Sequence, residues 1–370
     1  MLHCSKFAPL TKGSEVRNMS ELKIGLIGAG SISESHLLAY QANPKAALWA
    51  ICDLNESRAR AMARKYNIPH VYTDYRDLLA NPDVQAVSIC TWNNSHAEIS
   101  IAALEAGKNV LCEKPLCITV DEALQVQAAV ERTGRLLQVG YVRRYASNIA
   151  VLKKFIAAGD IGEIYFAKAS LVRRLGNPGG WFADKARSGG GPLIDIGVHV
   201  IDLCWYLMGR PKVKSVSGNT YYKLGNRSNI ENYAFYQAAD YDASLNTVED
   251  MANALIRFEN GASLLVDVSF SLHAKQNSAL VNIYGEKGGA EIEPELSIVT
   301  ERHNTIINID PQISTPAFDF QGSFQNEINH FVDSCLDGVP PISPVEDGVE
   351  IIKILNAIYQ SAEEGREIRF

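Results

Sequence analysis

The feature that most constrains the fold is a regular alternation of short apolar segments with helical patterns between residues 23 and 140. Each apolar segment carries almost no polar side chain, which is typical of parallel strands covered on both faces. The intervening segments have helical periodicity. We therefore predict a doubly wound α/β domain with a parallel sheet. Its six strands are expected at residues 23–27, 47–52, 71–72, 86–90, 109–112 and 136–140.

The first predicted strand is followed directly by the sequence GAGSIS. In such a turn, Gly28 permits a tight bend and Gly30 lets the backbone approach a pyrophosphate at the start of the next helix. The third small position is Ser33 rather than glycine, which weakens the match. The pattern still predicts a dinucleotide-binding turn, with the phosphates close to Ser31 and Ile32.

An acidic residue, Asp53, ends the second predicted strand, where a ribose-binding carboxylate is expected. A carboxylate there accepts hydrogen bonds from the ribose hydroxyls and repels a 2′-phosphate, so NAD(H) is favoured over NADP(H). Arg58 keeps NADP(H) open as the less favoured cofactor. The alternative interpretation is a glycine turn that binds no nucleotide, with Asp53 as a solvated loop acid.

After about residue 145 the pattern changes to longer strands with alternating polar and apolar side chains. The dipeptide Asn260-Gly261 separates two such runs, 252–258 and 262–272, and predicts a hairpin. We expect an α+β domain with an open, mostly antiparallel sheet, on which residues such as Asp267, Ser269 and Ser271 face either water or another subunit. Two helices are predicted to follow, at residues 324–336 and 345–364.

These patterns divide the chain into three predicted parts. Residues 1–20 are expected to form a loose N-terminal tail, and residues 21–144 an NAD-binding Rossmann domain. Residues 145–370 are expected to form a second domain, for which a family resemblance carried by further motifs implies substrate binding and an oligomer interface. The terminal helix of this part is predicted to pack back towards the Rossmann domain.

Composition and spacing argue against several classes of partner. The formal net charge of -7 and the lack of a basic patch argue against nucleic acid and anionic membrane surfaces. No apolar stretch approaches the ~18 residues of a membrane span. The seven cysteines and eight histidines lack metal-ligand spacing, so no metal is expected. The scattered cysteines favour a reducing, cytoplasmic location.

Two further motifs carry a family resemblance. The sequence CEKP follows the fifth predicted strand, and GGGPLIDIGVHVIDL covers residues 189–203. Together with ICTWNNSHAEISIAAL, these stretches resemble the Gfo/Idh/MocA family, and the likeness runs over residues 23–370. The resemblance implies an oxidoreductase that transfers a hydride between NAD and a secondary alcohol or ketone of a sugar, glycoside or inositol. It also implies a homodimer or homotetramer.

The resemblance places the family's catalytic group on Lys114, Asp195 and His199. Alcohol oxidation requires removal of a hydroxyl proton, for which an imidazole with a pKa of ~6.5 is suited. We expect His199 to accept this proton and Lys114 to stabilise the substrate oxygen, while Asp195 orients Lys114 or His199 and binds a neighbouring substrate hydroxyl. An exchange of these roles is the alternative. A helix that begins at Pro192 would present Asp195 and His199 on one face. The alternative is a helix-end aspartate and a core histidine, and Asp202 is a weaker candidate.

Other residues are expected around the cofactor. Thr91, Asn93 and His96 match family positions that line the nicotinamide side, although Trp92 replaces the proline that the family usually carries. Glu113 is expected near a ribose, with an exposed strand-end acid as its alternative.

In the substrate pocket, Arg173 is expected to bind a hydroxyl or a carboxylate. Trp181 is expected to stack on an apolar face of the sugar. For Trp181 the alternative is a packed aromatic in a surface loop. Arg143 and Arg144 follow the last parallel strand. They are predicted either to contact substrate or cofactor or to form an ion pair between the domains.

The sequence is also compatible with two other functions. Some members of the family cleave glycosides by transient oxidation and elimination, with NAD recycled on the enzyme. Others bind a dinucleotide only to regulate transcription, but these tend to lose the lysine that stands here as Lys114.

Overall fold

The structure is a computed structural model that describes residues 21–227, 229–238, 240–242 and 244–370. The predicted tail at residues 1–20 lies outside these ranges. The described residues build two sheets, one from each half of the chain.

The first sheet has six parallel strands, as predicted, and each strand end lies within one residue of its expected position. The strands are β1 Leu22–Ile27, β2 Ala46–Cys52, β3 His70–Tyr72, β4 Ala86–Ile89, β5 Asn109–Glu113 and β6 Leu137–Gly140. Their order is β3-β2-β1-β4-β5-β6, so the chain winds first to one side and then to the other. The direction reverses between β1 and β4, and ligands bind at such switch points beyond the carboxyl ends of the strands.

Helices connect these strands, and one of them begins as the sequence predicts. The helices of this half are α1 Ser33–Ala42, α2 Glu56–Tyr66, α3 Tyr75–Ala80, α4 His96–Glu105 and α5 Val120–Thr133. Before α5, the Thr119 hydroxyl accepts from the Glu122 N–H while the Glu122 carboxylate accepts from the Thr119 N–H. This capping box satisfies two otherwise free backbone donors and thereby fixes the start of the helix.

The second sheet has nine strands. They are β7 Ile164–Val172, β8 Val213–Tyr221, β9 Met251–Phe258, β10 Ser263–Ser269, β11 Ser278–Gly285, β12 Gly288–Glu293, β13 Ser297–Arg302, β14 Thr305–Ile309 and β15 Ile368–Arg369. Their order is β14-β13-β12-β11-β7-β10-β9-β8-β15, and β7 with β10 is the parallel pair among otherwise antiparallel neighbours. The predicted hairpin is β9–β10, which the turn at Asn260-Gly261 closes. The fold class is therefore confirmed in both halves.

One face of this sheet is packed and the other is open. Val266 and Val268 point into the core, as expected. The expectation for the other face is correct at Asp267, which is half-buried, but wrong at Ser269 and Ser271, which are both buried. The Ser269 hydroxyl bonds to the backbone N–H and carbonyl of Arg173, because Arg173 directly follows Val172, the β7 residue that pairs with Ser269.

The helices of the second half complete the core and reach the first sheet. They are α6 Ser147–Ala157, α7 Lys185–Ser188, α8 Val198–Leu207, α9 Phe320–Asp337 and α10 Val345–Glu364. Phe331 and Val332 of α9 form one buried cluster with Leu22 and Tyr40 of the first half. Helix α10 packs against both α5 and β8. The last two helices therefore tie the two sheets together.

Candidate active site

The glycine turn after β1 has the geometry that a dinucleotide requires. Gly28 has a φ of +95°, and a Cβ there would lie 2.5 Å from a backbone oxygen of the neighbouring loop. At Gly30 a Cβ would meet nothing within 4 Å, so open space lies over this backbone. The buried Ser33 begins α1 and donates its hydroxyl to the Gly30 carbonyl. Ser31 and Ile32 lie between them, where helical N–H groups have no internal partner and attract phosphate.

Asp53 lies beside this turn. Its Oδ2 accepts the Ala29 N–H over 2.8 Å, and its Oδ1 accepts the Asn55 N–H over 2.8 Å. The Arg58 guanidinium is 3.9 Å from Oδ2, but its side chain is largely exposed. The carboxylate is therefore fixed next to the glycines by two backbone donors, where the ribose of a bound dinucleotide is expected.

Glu113, the last residue of β5, is held by a buried polar chain. Its Oε1 lies 2.8 Å from Nε2 of His36, and its Oε2 accepts the N–H of Lys114. His36 is fully buried, and Nδ1 of its ring lies 3.4 Å from the Ser88 hydroxyl, which is paired with Tyr40. His36 therefore positions an acid at the carboxyl end of the sheet.

The loop after β4 contains Thr91, Asn93 and His96. Nδ1 of His96 lies 2.7 Å from the Pro115 carbonyl, and Nε2 lies 3.2 Å from the Thr91 carbonyl, so this ring braces two loops. Burial lowers the pKa of His96, which favours the neutral ring. The Asn93 amide donates to the Ser188 carbonyl over 2.8 Å and so reaches the second half of the chain. Contact of these residues with a dinucleotide remains a prediction.

Lys114 and Asp195 come together from the two halves of the chain. The Lys114 ammonium donates to Oδ1 of Asp195 over 2.8 Å and to its backbone carbonyl over 2.9 Å. A regular helix from Pro192 was expected, but Leu193–Gly197 instead forms a wide π-helical turn ahead of α8. Such turns interrupt the regular helical hydrogen-bond pattern and are frequent at functional sites.

His199 is the second residue of α8 and borders a cavity of about 440 Å³. Its Nδ1 is buried and has no hydrogen-bond partner among the described residues. Burial, followed by the charges of Lys114, Arg143 and Arg173, lowers the pKa of His199 well below its usual value. The imidazole is therefore neutral at physiological pH. The cavity walls include His199, Arg143, Arg173, Ile196, Asn277 and Phe318.

The cationic residues of the cavity differ in their pairing. Arg143 forms an ion pair with Glu293 at the end of β12. The Arg173 guanidinium donates to a backbone carbonyl three residues on, and within the described chain it has no carboxylate partner. Trp181 stacks on Phe182, with ring centroids 3.9 Å apart, and does not line the cavity. The structure thus places Arg173 and His199 on the wall of the same cavity and Trp181 away from it.

Arg144 and Asp202 belong to a buried ion network. The Arg144 guanidinium makes two bonds to the Asp202 carboxylate, of 3.0 and 2.5 Å, and one of 2.5 Å to Asp347. All three side chains are almost inaccessible to solvent. The network joins the end of β6 to α8 and α10, which makes it a structural clamp between the halves and leaves Asp202 without a free oxygen for substrate.

Comparison with known proteins identifies the family. A model of an oxidoreductase family with an NAD-binding Rossmann fold matches residues 22–141, and the model of its C-terminal alpha/beta domain matches residues 153–370. The chain belongs to the Gfo/Idh/MocA family of NAD-binding oxidoreductases. NAD is therefore its cofactor, and the glycine turn and Asp53 suit that dinucleotide.

Three relatives illustrate the similarity. The chain is 33% identical to D-glucoside 3-dehydrogenase of Escherichia coli K12, over 94% of this chain and 97% of that protein. It is 26% identical to myo-inositol 2-dehydrogenase of Thermotoga maritima, over 94% and 98%. A solved structure of levoglucosan dehydrogenase with NADH and levoglucosan superposes with a TM-score of 0.82 at 26% identity, covering 95% of this chain and 99% of the other.

One residue that supports the site was missed by sequence reasoning. The buried Glu249 carboxylate accepts the N–H groups of Gly191 and Leu193 and the Tyr359 hydroxyl, over 2.9 to 3.2 Å. Burial raises the pKa of Glu249, while these donors favour its charged form. It fixes the start of the wide turn that carries Asp195. No local pattern marks it, because its partners lie 56 to 110 residues away.

The described ranges contain neither a cluster of metal ligands nor a helix suited to a membrane. No three histidine, cysteine or acidic side chains there cluster as metal ligands would. None of the helices there is both long and apolar enough to cross a membrane.

We predict that Asp53→Asn weakens the preference for NADH over NADPH. The amide removes the charge that repels a 2′-phosphate, so the ratio of the two dissociation constants is expected to fall on the order of tenfold. Titration of each cofactor by nicotinamide fluorescence measures this ratio. Glu56→Gln, an exposed acid at the start of α2, is the control, and an unchanged ratio in Asp53→Asn would contradict the prediction.

Proposed function

We propose that this protein is an NAD-dependent dehydrogenase of sugars, glycosides or inositols, in which Lys114, Asp195 and His199 act on the substrate hydroxyl. The observation that carries the proposal is a cavity bordered by the neutral imidazole of His199, whose Nδ1 has no hydrogen-bond partner among the described residues. Burial, and then the charge of Lys114, lowers the pKa of this ring. The relatives' activities on glucosides, inositol and levoglucosan support a secondary alcohol as the reacting group. When bound, the nicotinamide exchanges a hydride with the carbon that carries this hydroxyl.

His199 is the proposed proton acceptor in the oxidative direction. A base must be unprotonated and aimed at its proton, and burial among cations keeps this imidazole neutral at physiological pH. Because Nδ1 has no protein partner among the described residues, the ring has hydrogen-bonding capacity left for a ligand. In reduction, the same ring returns the proton.

Lys114 is the proposed electrostatic stabiliser of the substrate oxygen. Its ammonium has three donors, and the structure uses two of them on Asp195, so one remains for substrate. Asp195 holds the ammonium in place and is itself half-buried. A fixed cation beside the reacting oxygen favours developing alkoxide charge.

Arg173 is the proposed contact to a second substrate oxygen. Its guanidinium borders the same cavity as His199, and it still has free donors for a hydroxyl or a carboxylate. Trp181 is proposed to stack on an apolar face of the sugar. This contact requires that substrate binding brings the loop of residues 176–191 over the cavity.

We predict that Lys114→Met lowers kcat on the order of 10²- to 10³-fold, with NADH binding retained. A panel of methyl glucosides, levoglucosan and inositols, followed at the nicotinamide absorbance with NAD, identifies the substrate for this measurement. The control is Lys353→Met, because Lys353 pairs with Glu350 on the surface of α10.

A kcat of Lys114→Met close to that of the wild type would contradict the assigned role. Aryl glycosides test the wider proposal, since release of the aryl group without net NADH would identify a glycosidase instead. Absence of hydride transfer to any sugar or polyol would overturn the function itself.

We predict that the acid limb of kcat/KM for alcohol oxidation lies below pH 6.5. The base must be unprotonated, and a pKa lowered by burial and cations keeps it so as the pH falls through 6.5. Arg173→Met removes one of these cations, so its acid limb is expected at higher pH than in the wild type. The control is Arg174→Met, an exposed neighbour. A wild-type limb above 6.5, or identical limbs in wild type and Arg173→Met, would exclude His199 as the base.

We further propose that the protein is a cytoplasmic homodimer or homotetramer built through the open face of the second sheet. Exposed apolar side chains lie on β10, β11, β13 and β14 of that face, with β7 between the first two strands and β12 between β11 and β13. Such a stripe is unfavourable in water and suits a subunit contact. The six described cysteines are free thiols, which supports a reducing compartment. The stripe comprises Leu265, Tyr284, Val299 and Ile306.

We predict that Leu265→Glu dissociates the oligomer. A carboxylate buried in an apolar subunit contact loses its hydration without gaining a partner. Sedimentation velocity is expected to show a smaller species than the wild type. Leu124→Glu, at an equally exposed position on α5, is expected to keep the wild-type assembly. A monomeric wild type, or equal assemblies in both variants, would exclude this interface.

A further inference from the structure

The segment between β8 and β9 leaves the second sheet and reaches the nucleotide-binding turn. Tyr236 of this segment donates its hydroxyl to the Ser31 hydroxyl over 3.0 Å, and the two residues are 205 positions apart. The tyrosine ring is 56% exposed, so it is not held there by core packing. A phenol thus stands at the turn where a dinucleotide phosphate binds.

The segment that carries Tyr236 is anchored on both sides. Before it, the Asp250 carboxylate accepts the N–H groups of Leu224 and Gly225, over 2.5 and 2.8 Å. After it, the Ala238 N–H donates to the Pro178 carbonyl over 2.8 Å. These contacts limit where the phenol lies, which lowers the entropic cost of using it to bind a ligand.

Two other contacts cross the same crevice. The Arg187 guanidinium lies over the Trp92 ring, 4.4 Å from its centroid, and the Asn93 amide bonds to the Ser188 carbonyl. Trp92 stands where the resembling family usually has proline. Together with Tyr236, these residues connect the second half of the chain to two loops at the carboxyl ends of β1 and β4.

We propose that Tyr236 is a phosphate-binding residue of the NAD site. Its hydroxyl is a donor within hydrogen-bond distance of Ser31, and the open space over Gly30 lies one residue away. A phosphate oxygen seated on the turn is a stronger acceptor than the Ser31 hydroxyl, because the bond to it is charge-assisted. With a dinucleotide on the turn, the phenol would donate to a pyrophosphate oxygen in place of the Ser31 hydroxyl, and this bond would slow the release of NAD.

The test is Tyr236→Phe, which removes the donor and keeps the ring. We expect ADP-ribose to bind on the order of tenfold more weakly, as for loss of a hydrogen bond to a charged group. Adenosine, which lacks the pyrophosphate, is expected to bind with unchanged affinity. Displacement of bound NADH measures both affinities, and stopped-flow fluorescence is expected to show faster release of NADH.

Tyr233→Phe is the matched control, because Tyr233 lies in the same segment, with its ring near Arg174 rather than at the turn. It is expected to bind both ligands as the wild type does. Unchanged ADP-ribose affinity in Tyr236→Phe would overturn the proposal, and so would an equal loss for adenosine, which would indicate a distorted turn. Neither result depends on a sugar substrate, so the proposed function is tested separately.

Discussion

The contact between Lys114 and Asp195 is the interaction on which the site depends. It joins the end of β5 to the wide turn before α8, across 81 residues of sequence. An isolated, half-buried ion pair adds little to stability, because desolvation offsets much of the attraction. Its geometry is nevertheless closely defined, since the ammonium bonds to both the side chain and the carbonyl of one residue. Such a pair is better explained as a means of holding a cation near a reacting oxygen than as a support for the fold.

The charges around this pair determine what the neighbouring imidazole can do. In water, a histidine is partly protonated near neutral pH. Here burial and three nearby cations favour the neutral ring, and no carboxylate hydrogen-bonds to it within the described chain. Two acids that pair with these cations are committed to them, Asp195 to Lys114 and Glu293 to Arg143. In the proposed function, this arrangement separates the two tasks of alcohol oxidation, with a neutral group to take the proton and a cation to stabilise the oxygen.

The sequence predicts the parts of the site that depend on local pattern. Strands buried on both faces must be apolar throughout, so all six strands of the first sheet were identifiable, and the glycine turn follows from the conformation that Gly28 requires. Lys114, Asp195 and His199 came from a family resemblance, not from periodicity. The supports were not predictable, because His36 meets Glu113 across 77 residues and Tyr236 meets Ser31 across 205. Such contacts arise only once the two halves pack, and neither residue lies in a motif that signals a partner.

Residues 187–195 connect the two halves of the chain. Along them, Arg187 and Ser188 first contact Trp92 and Asn93 of the loop after β4. The segment then receives the fixed carboxylate of Glu249 at Gly191 and ends at Asp195, which holds the Lys114 ammonium. The loop after β4 and the Lys114 ammonium therefore both rest on the same nine residues, so a substitution within residues 187–195 is expected to disturb both positions.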